Sequence, residues 1–109
     1  MALRIKWDQF EVALLIDACE QVQQKKIAKN EMVSRLSYAL RRRAERRGIE
    51  IDDIFRNENG ISLQMTKMEY LLTDGKAGLP GASKLYAEIA GFRKNCPNEY
   101  SQLLSEAKR

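Results

Sequence analysis

Six arginines fall between Arg35 and Arg47, namely Arg35, Arg41, Arg42, Arg43, Arg46 and Arg47, against a single carboxylate, Glu45. Guanidinium groups keep their charge and pair with phosphate oxygens two at a time. The whole chain nets only +4, so its basic character belongs to one segment and is not a diffuse solubility feature. A face built from Arg35, Arg42, Arg46 and their neighbours could neutralise about four phosphates and would bind them with a marked salt dependence. The competing explanation is a solvated helix face, because the spacing by itself specifies no ligand.

A second candidate is Arg56 with Asn57, followed by Asn59 and Gly60. Backbone N–H groups at a helix start carry partial positive charge, and a nearby arginine would complete an anion site. The plainer alternative is that Asn57 caps the helix, Phe55 fills the core and Arg56 pairs with Asp52 or Asp53. The run Gly75-Lys76-Ala77-Gly78-Leu79-Pro80-Gly81 invites comparison with phosphate loops, but no strand precedes it and no Gly-Lys-Ser/Thr closes it. Tyr38, Tyr70, Tyr86 and Tyr100 could stack on bases, yet they are scattered, and the expectation is rings at the edge of the core with wet hydroxyls.

Catalysis finds little support. The chain has no histidine, the commonest general acid or base near neutral pH, and no carboxylate pair or lysine stands out in its place. The sequence therefore predicts a protein that is not an enzyme, with no catalytic residue to name. Two isolated cysteines, Cys19 and Cys96, without histidine argue against a zinc site, so neither metal nor cofactor is expected. In the absence of a secretory signal the two thiols should be free.

The elements that must position these groups read as helices throughout. Asp8 and Glu11 have the spacing of a capping box, with Trp7 just before it. From there Phe10, Leu14, Ala18 and Val22 follow helical spacing, and Leu15, Val12, Ile16 and Cys19 widen the apolar surface. A helix this apolar belongs at the centre of the fold. The connector Lys25–Lys29 leads to Asn30 as the candidate cap of a second helix that runs to about Arg47, with Val33, Leu36, Leu40 and Ala44 inward. Gly48 supplies a left-handed stop, with Ile49 folding back onto the last turn. Ile51–Phe55 reads as one helical turn with Ile51, Ile54 and Phe55 inward. Ile61, Met65, Met68 and Leu72 repeat at helical spacing and define a third buried face. Residues 74–81 are the most mobile stretch by composition, with three glycines, one proline and Leu79 as a pin. Ser83 opens a fourth helix with Leu85, Ile89 and Phe92 inward. Asn95–Asn98 breaks the chain before a last helix carrying Tyr100, Leu103, Leu104 and Ala107.

At Phe55 these residues join into a wider pattern. Trp7…Glu11…Leu14-Leu15, then Leu36-Ser37…Leu40-Arg41…Ala44…Gly48…Ile51-Asp52…Phe55-Arg56-Asn57…Gly60-Ile61…Gln64…Glu69, resembles a helical domain found in bacterial restriction-type and phage-defence proteins. It resembles the region that often precedes an HNH nuclease or another effector domain. The Phe-Arg-Asn…Gly-Ile run is its most specific part, and the resemblance extends to about Tyr70. It implies a DNA-linked accessory or targeting role. No nuclease, ATPase or modification motif follows, so it carries over no catalytic residue.

The expectations are then these. The fold is all-α, a compact bundle of about five helices plus a short helical turn, forming a single domain over residues 1–109. The function is a small non-catalytic DNA-binding or DNA-associated module with nucleic acid, duplex DNA foremost, as partner. Arg35, Arg41, Arg42, Arg43, Arg46 and Arg47 would contact backbone, and Arg56 with Asn57 would add a phosphate or base contact. The alternative is a protein-interaction or oligomerisation module that docks an effector subunit or a second copy through the apolar surface of the first helix or the tail helix, burying Trp7, Phe10 or Tyr100. No apolar run approaches the roughly 20 residues that span a bilayer, and the N-terminal residues lack a long apolar stretch. A cytoplasmic protein without a membrane partner is expected, with its oligomeric state open.

Overall fold

In a computed structural model, which describes residues 5–109, the chain folds into five helices with no strand among those residues. The reading of the N-terminus for a leader segment falls partly on residues 1–4, outside the described part. Helix α1 (Gln9–Gln23) starts as its residue types dictate. The Asp8 carboxylate accepts from the Glu11 N–H at 2.9 Å, and the Glu11 carboxylate accepts from the Asp8 N–H at 3.1 Å. This reciprocal box satisfies donors that a helix start otherwise leaves unpaired. Val12, Ala13, Leu15 and Ile16 are fully buried. Such broad burial requires neighbours on several sides, and α1 touches all four other helices.

Helix α2 (Lys29–Arg46) packs on α1 and α3 and on nothing beyond them among the described helices, so it forms an edge of the bundle. Met32, Val33, Leu36, Leu40 and Ala44 face the core. Its start corrects the sequence expectation. Ala28 occupies the cap position with no side-chain bond, and Asn30 lies inside the helix, its Oδ1 accepting from the adjacent Glu31 N–H at 2.9 Å. Burial of Met32 and Val33 replaces the missing cap as the local reason for the helix to begin there. Its end is as expected. Gly48 takes φ +74°, the Gly48 N–H donates to the Glu45 carbonyl and the Ile49 N–H donates back to the Ala44 carbonyl, both at 3.0 Å. These are the two bonds of a Schellman stop.

Between α2 and α3 (Glu58–Leu72) the chain forms bends and a turn, not a helical turn. Asp52 Oδ1 accepts from the N–H groups of Ile54 and Phe55, at 3.1 and 2.8 Å. A side chain that bonds its own following backbone offers an alternative to helix. Ile54 consequently points out, 72% exposed, instead of inward. Asn57 caps α3 by accepting from the Gly60 N–H at 2.8 Å.

Ile61, Met65 and Met68 form the buried face of α3. The glycine-rich connector after it is fastened by backbone, not by Leu79, whose side chain is 52% exposed. Gly78 lies flat on α3 at φ +83°, and a Cβ there would meet the Thr66 carbonyl oxygen at 2.4 Å. The Leu79 N–H donates to that same carbonyl at 3.2 Å. Ser83 caps α4 (Lys84–Asn95) through the Tyr86 N–H, and Pro97 opens α5 (Pro97–Ala107) after the break at Cys96. Tyr86 and Ile89 are buried on α4, and Leu85 and Phe92 lie at the rim. No described helix is long and apolar enough to cross a membrane.

Candidate nucleic-acid interface

The arginines do not share one surface. An α-helix turns about 100° per residue, so Arg35, Arg42 and Arg46, at i, i+7 and i+11, fall within an arc of about 40°. That arc lies opposite the buried line of Leu36, Leu40 and Val33, and all three arginines are exposed. The inner positions of the same helix send theirs elsewhere.

Arg43 Nη1 donates to Asp8 Oδ2 at 3.0 Å, its guanidinium lies 5.3 Å from the Phe10 ring centre, and its side chain is only 15% exposed. Arg47 Nη1 reaches the same Asp8 oxygen at 3.2 Å. Burial alone would raise the Asp8 carboxyl, but the Glu11 N–H and the two guanidiniums outweigh it and hold Asp8 below its ordinary value of 3.8. Arg41 turns towards the α2–α3 connector. Its Nη1 donates to the Asp52 carbonyl at 3.1 Å and to the Phe55 carbonyl, tying the connector to the helix.

Arg56 departs furthest from expectation. It pairs with neither Asp52 nor Asp53 and does not face solvent. Its Nε donates to Glu11 Oε2 at 2.8 Å and its Nη2 to Glu11 Oε1 at 3.1 Å, a two-pronged pair with side chains 9% and 6% exposed. The guanidinium carbon lies 4.5 Å from the Trp7 ring centre and 4.4 Å from that of Phe55, and Nη2 also donates to the Ile5 carbonyl at 3.3 Å. The backbone at Arg56 is left-handed, φ +48°, and its carbonyl accepts from Ser37 Oγ at 2.6 Å. A bulky residue at positive φ is uncommon and needs surroundings that over-determine it. Here one residue joins the segment before α1, α1 itself, α2 and the start of α3. Arg56 and Asn57 are therefore structural, one an internal cation and the other a helix cap, and neither is presented to a ligand.

What remains outside is sparse and not purely positive. Arg35 Nη2 lies 2.9 Å from Glu31 Oε1, and Arg42 Nη1 lies 4.0 Å from Glu45 Oε2, with side chains half to two-thirds exposed. Such exposed pairs contribute little and are readily exchanged for a better anion. Among the described residues Arg46 has no ion pair. Glu58 stands at the edge of this face, accepting from Ser34 Oγ at 2.7 Å. On the same face Tyr38 is 68% exposed.

Cys19, Tyr86 and Tyr100 are closed off, whereas the second free thiol, Cys96, is half-buried. Cys19 is buried with its Sγ 3.5 Å from the Met65 carbonyl, and burial, helped by Glu69, pushes its thiol up to about 12. A thiol so rarely ionised is a poor nucleophile. Tyr86 and Tyr100 are buried and donate to Gln64 Oε1 and the Ala13 carbonyl at 2.8 and 3.1 Å, so their hydroxyls are not wet as expected. Among the described residues no group of three or more His, Cys, Asp or Glu side chains is placed to hold a metal ion. The residues expected at a protein-docking surface are partly engaged within the fold. Helix α1 touches all four other helices, Trp7 packs edge-on against Tyr86 with ring centres 5.7 Å apart, Tyr100 is 6% exposed, and Phe10 is half-buried beside the Arg43 guanidinium.

Sequence reasoning missed Asp8 and Glu11 as counter-ions because they are also a complete capping box, which already accounts for their types. The signal that was present lies in α2: Tyr38 stands two residues from both Leu36 and Leu40, on the opposite side of the helix. No family model, no curated protein and no solved structure matches the chain.

Proposed function

We propose that this chain is a small, non-catalytic nucleic-acid-binding module that contacts phosphate through the outer face of α2. The observation that carries the proposal is the separation of the arginine cluster: Arg35, Arg42 and Arg46 line one solvent face of an edge helix, with no buried acid holding them. Guanidiniums on the exposed outer face of a helix suit the phosphates of a long polyanion better than an enclosed small molecule. The acids Glu31 and Glu45 moderate the field, so binding is of modest strength. The bacterial restriction or phage-defence setting, and a cytoplasmic one, belong to the same proposal and rest on the Phe55–Gly60 resemblance and on composition.

Fluorescence anisotropy with a labelled DNA duplex over a salt series tests it. Engagement of three guanidiniums gives a slope of log affinity against log salt of about −2.7, whereas engagement of all six in the cluster gives about −5.4. The double substitution Arg42→Glu with Arg46→Glu abolishes binding. Affinity that ignores that double substitution removes the α2 face from consideration.

A second reading, a protein-docking module, is favoured by Ile54 and Leu63, 72% and 45% exposed. Sedimentation of the chain separates the two: a stable oligomer dispersed by Ile54→Asp, with no DNA shift, supports docking.

A further inference from the structure

The nucleic-acid reading leaves open whether the strand is paired, and one side chain on the α2 face bears on that. The four tyrosines have separate fates. Tyr86 and Tyr100 are buried, with hydroxyls that donate to Gln64 and to the Ala13 carbonyl. Tyr70 is half-buried and its ring lies under the Gly75 turn. Tyr38 is 68% exposed, and among the described residues it makes no ring–ring contact, cation–π contact or side-chain hydrogen bond.

Its position on the helix gives the exposure meaning. Arg35 precedes it by three residues and Arg42 follows it by four. Residues so spaced are surface neighbours, with Cβ atoms about 5–6 Å apart. A bare aromatic ring thus stands between the positions of Arg35 and Arg42, whose guanidiniums pair along the axis with Glu31 and Glu45 and leave the ring open, with the small Ala39 beside it. Aromatic rings set among arginines hold unpaired strands: the cations follow the phosphates and the ring stacks on a base. A duplex does not offer that contact, because its bases are already stacked and unstacking a step costs a few kcal/mol. Charge density points the same way. A duplex carries one negative charge per roughly 1.7 Å of axis and a single strand about half that. Three guanidiniums interleaved with Glu31 and Glu45 are matched to the thinner charge.

We propose that the ligand of this face is single-stranded nucleic acid, with an unpaired base stacked on Tyr38 between Arg35 and Arg42. The proposal rests on the nucleic-acid reading and adds the state of the strand and the residue that recognises it.

The test is fluorescence anisotropy of the whole chain with three labelled probes: an oligothymidylate strand, its duplex with oligoadenylate, and the matching oligouridylate strand. The unmodified protein should bind a single strand more tightly than the duplex, and whichever strand it holds better identifies DNA or RNA as the source. Tyr38→Ala should lose about tenfold or more on the better single strand and less than about twofold on the duplex, whereas Tyr38→Phe should retain affinity. The exposure of Tyr38 leaves these variants folded, which an unchanged thermal midpoint confirms. Tighter binding to the duplex, or indifference to Tyr38→Ala, overturns the stacking proposal. If Arg42→Glu with Arg46→Glu still abolishes binding in that case, the backbone reading survives without it. Absence of binding to all three probes overturns both and leaves the face to a protein partner.

Discussion

Arg42 and Arg43 are adjacent in the chain, yet they belong to different regions of the molecule. Arg43 lies against Phe10 with its charge held by Asp8, 15% exposed. Arg42 is half exposed and meets only Glu45, at 4.0 Å. The same division runs through the cluster. Arg43, with Arg56 from the connector, is enclosed around the acidic first turn of α1 and holds the bundle together, Arg47 reaches Asp8 from a half-exposed position, and Arg35, Arg42 and Arg46 face solvent. A run of arginines in sequence is therefore not a positive surface. About 100° of helix rotation per residue separates the enclosed Arg43 from the exposed Arg42, and Arg43 and Arg56 cannot meet a ligand without dismantling the fold.

That contrast can be broken from its inner side first. Glu11→Ala leaves the Arg56 guanidinium without its carboxylate in an environment it cannot leave. Removing one partner of a buried pair costs about 3–5 kcal/mol, and the same change deletes half of the α1 capping box. The expected result is a large fall in the urea midpoint, with Trp7 fluorescence reporting the loosened stack on Arg56. A change under about 1 kcal/mol would show that the pair is not what secures this corner.

Acid titration is a gentler cut through the same region. Asp8 is held below its ordinary value, so its contribution to stability is full above 3.8 and is lost as pH falls through the lower folded value. Urea melts on either side of that window should show the protein weakening on acidification. Asp8→Asn keeps a capping side chain but removes the charge, and it should flatten that part of the pH dependence. The Asp8 side chain is 35% exposed, so solvent screening limits the difference to under about 1 kcal/mol.

The smallest stability effect is expected on the outer side. Arg42→Glu with Arg46→Glu removes no buried contact and should move stability within about 0.5 kcal/mol, the same substitution expected to abolish DNA binding. A stability loss as large as that of Glu11→Ala would erase the distinction between the two sets.

Much of the architecture was legible in the residues. The Asp8–Glu11 box, the Gly48 stop, the Ser83 cap and the Cys96-Pro97 break are short-range devices, and each formed where its residue types demanded. The central place of α1 followed from an apolar surface too wide for one neighbour. The failures have two causes, one tertiary and one local. Asn30 had the right type for a cap, yet α2 begins earlier because Met32 and Val33 find the core there. Ile51–Phe55 looked helical by spacing, but Asp52 bonds its own following backbone and turns Ile54 outward.

The candidate site was legible as composition and not as geometry. Residue type and helical period determined that guanidiniums cluster on one amphipathic helix, that this helix buries Leu36 and Leu40, and that Tyr38 lies across from them. Which guanidiniums are free depended on contacts between residues far apart in the chain, Asp8 with Arg43 and Arg47 and Glu11 with Arg56. Hydrogen bonds that recur every turn are written into local spacing. Ion pairs that join α1 to α2 and to the α2–α3 connector exist only once the helices have docked, because no local rule brings those charges within reach of one another.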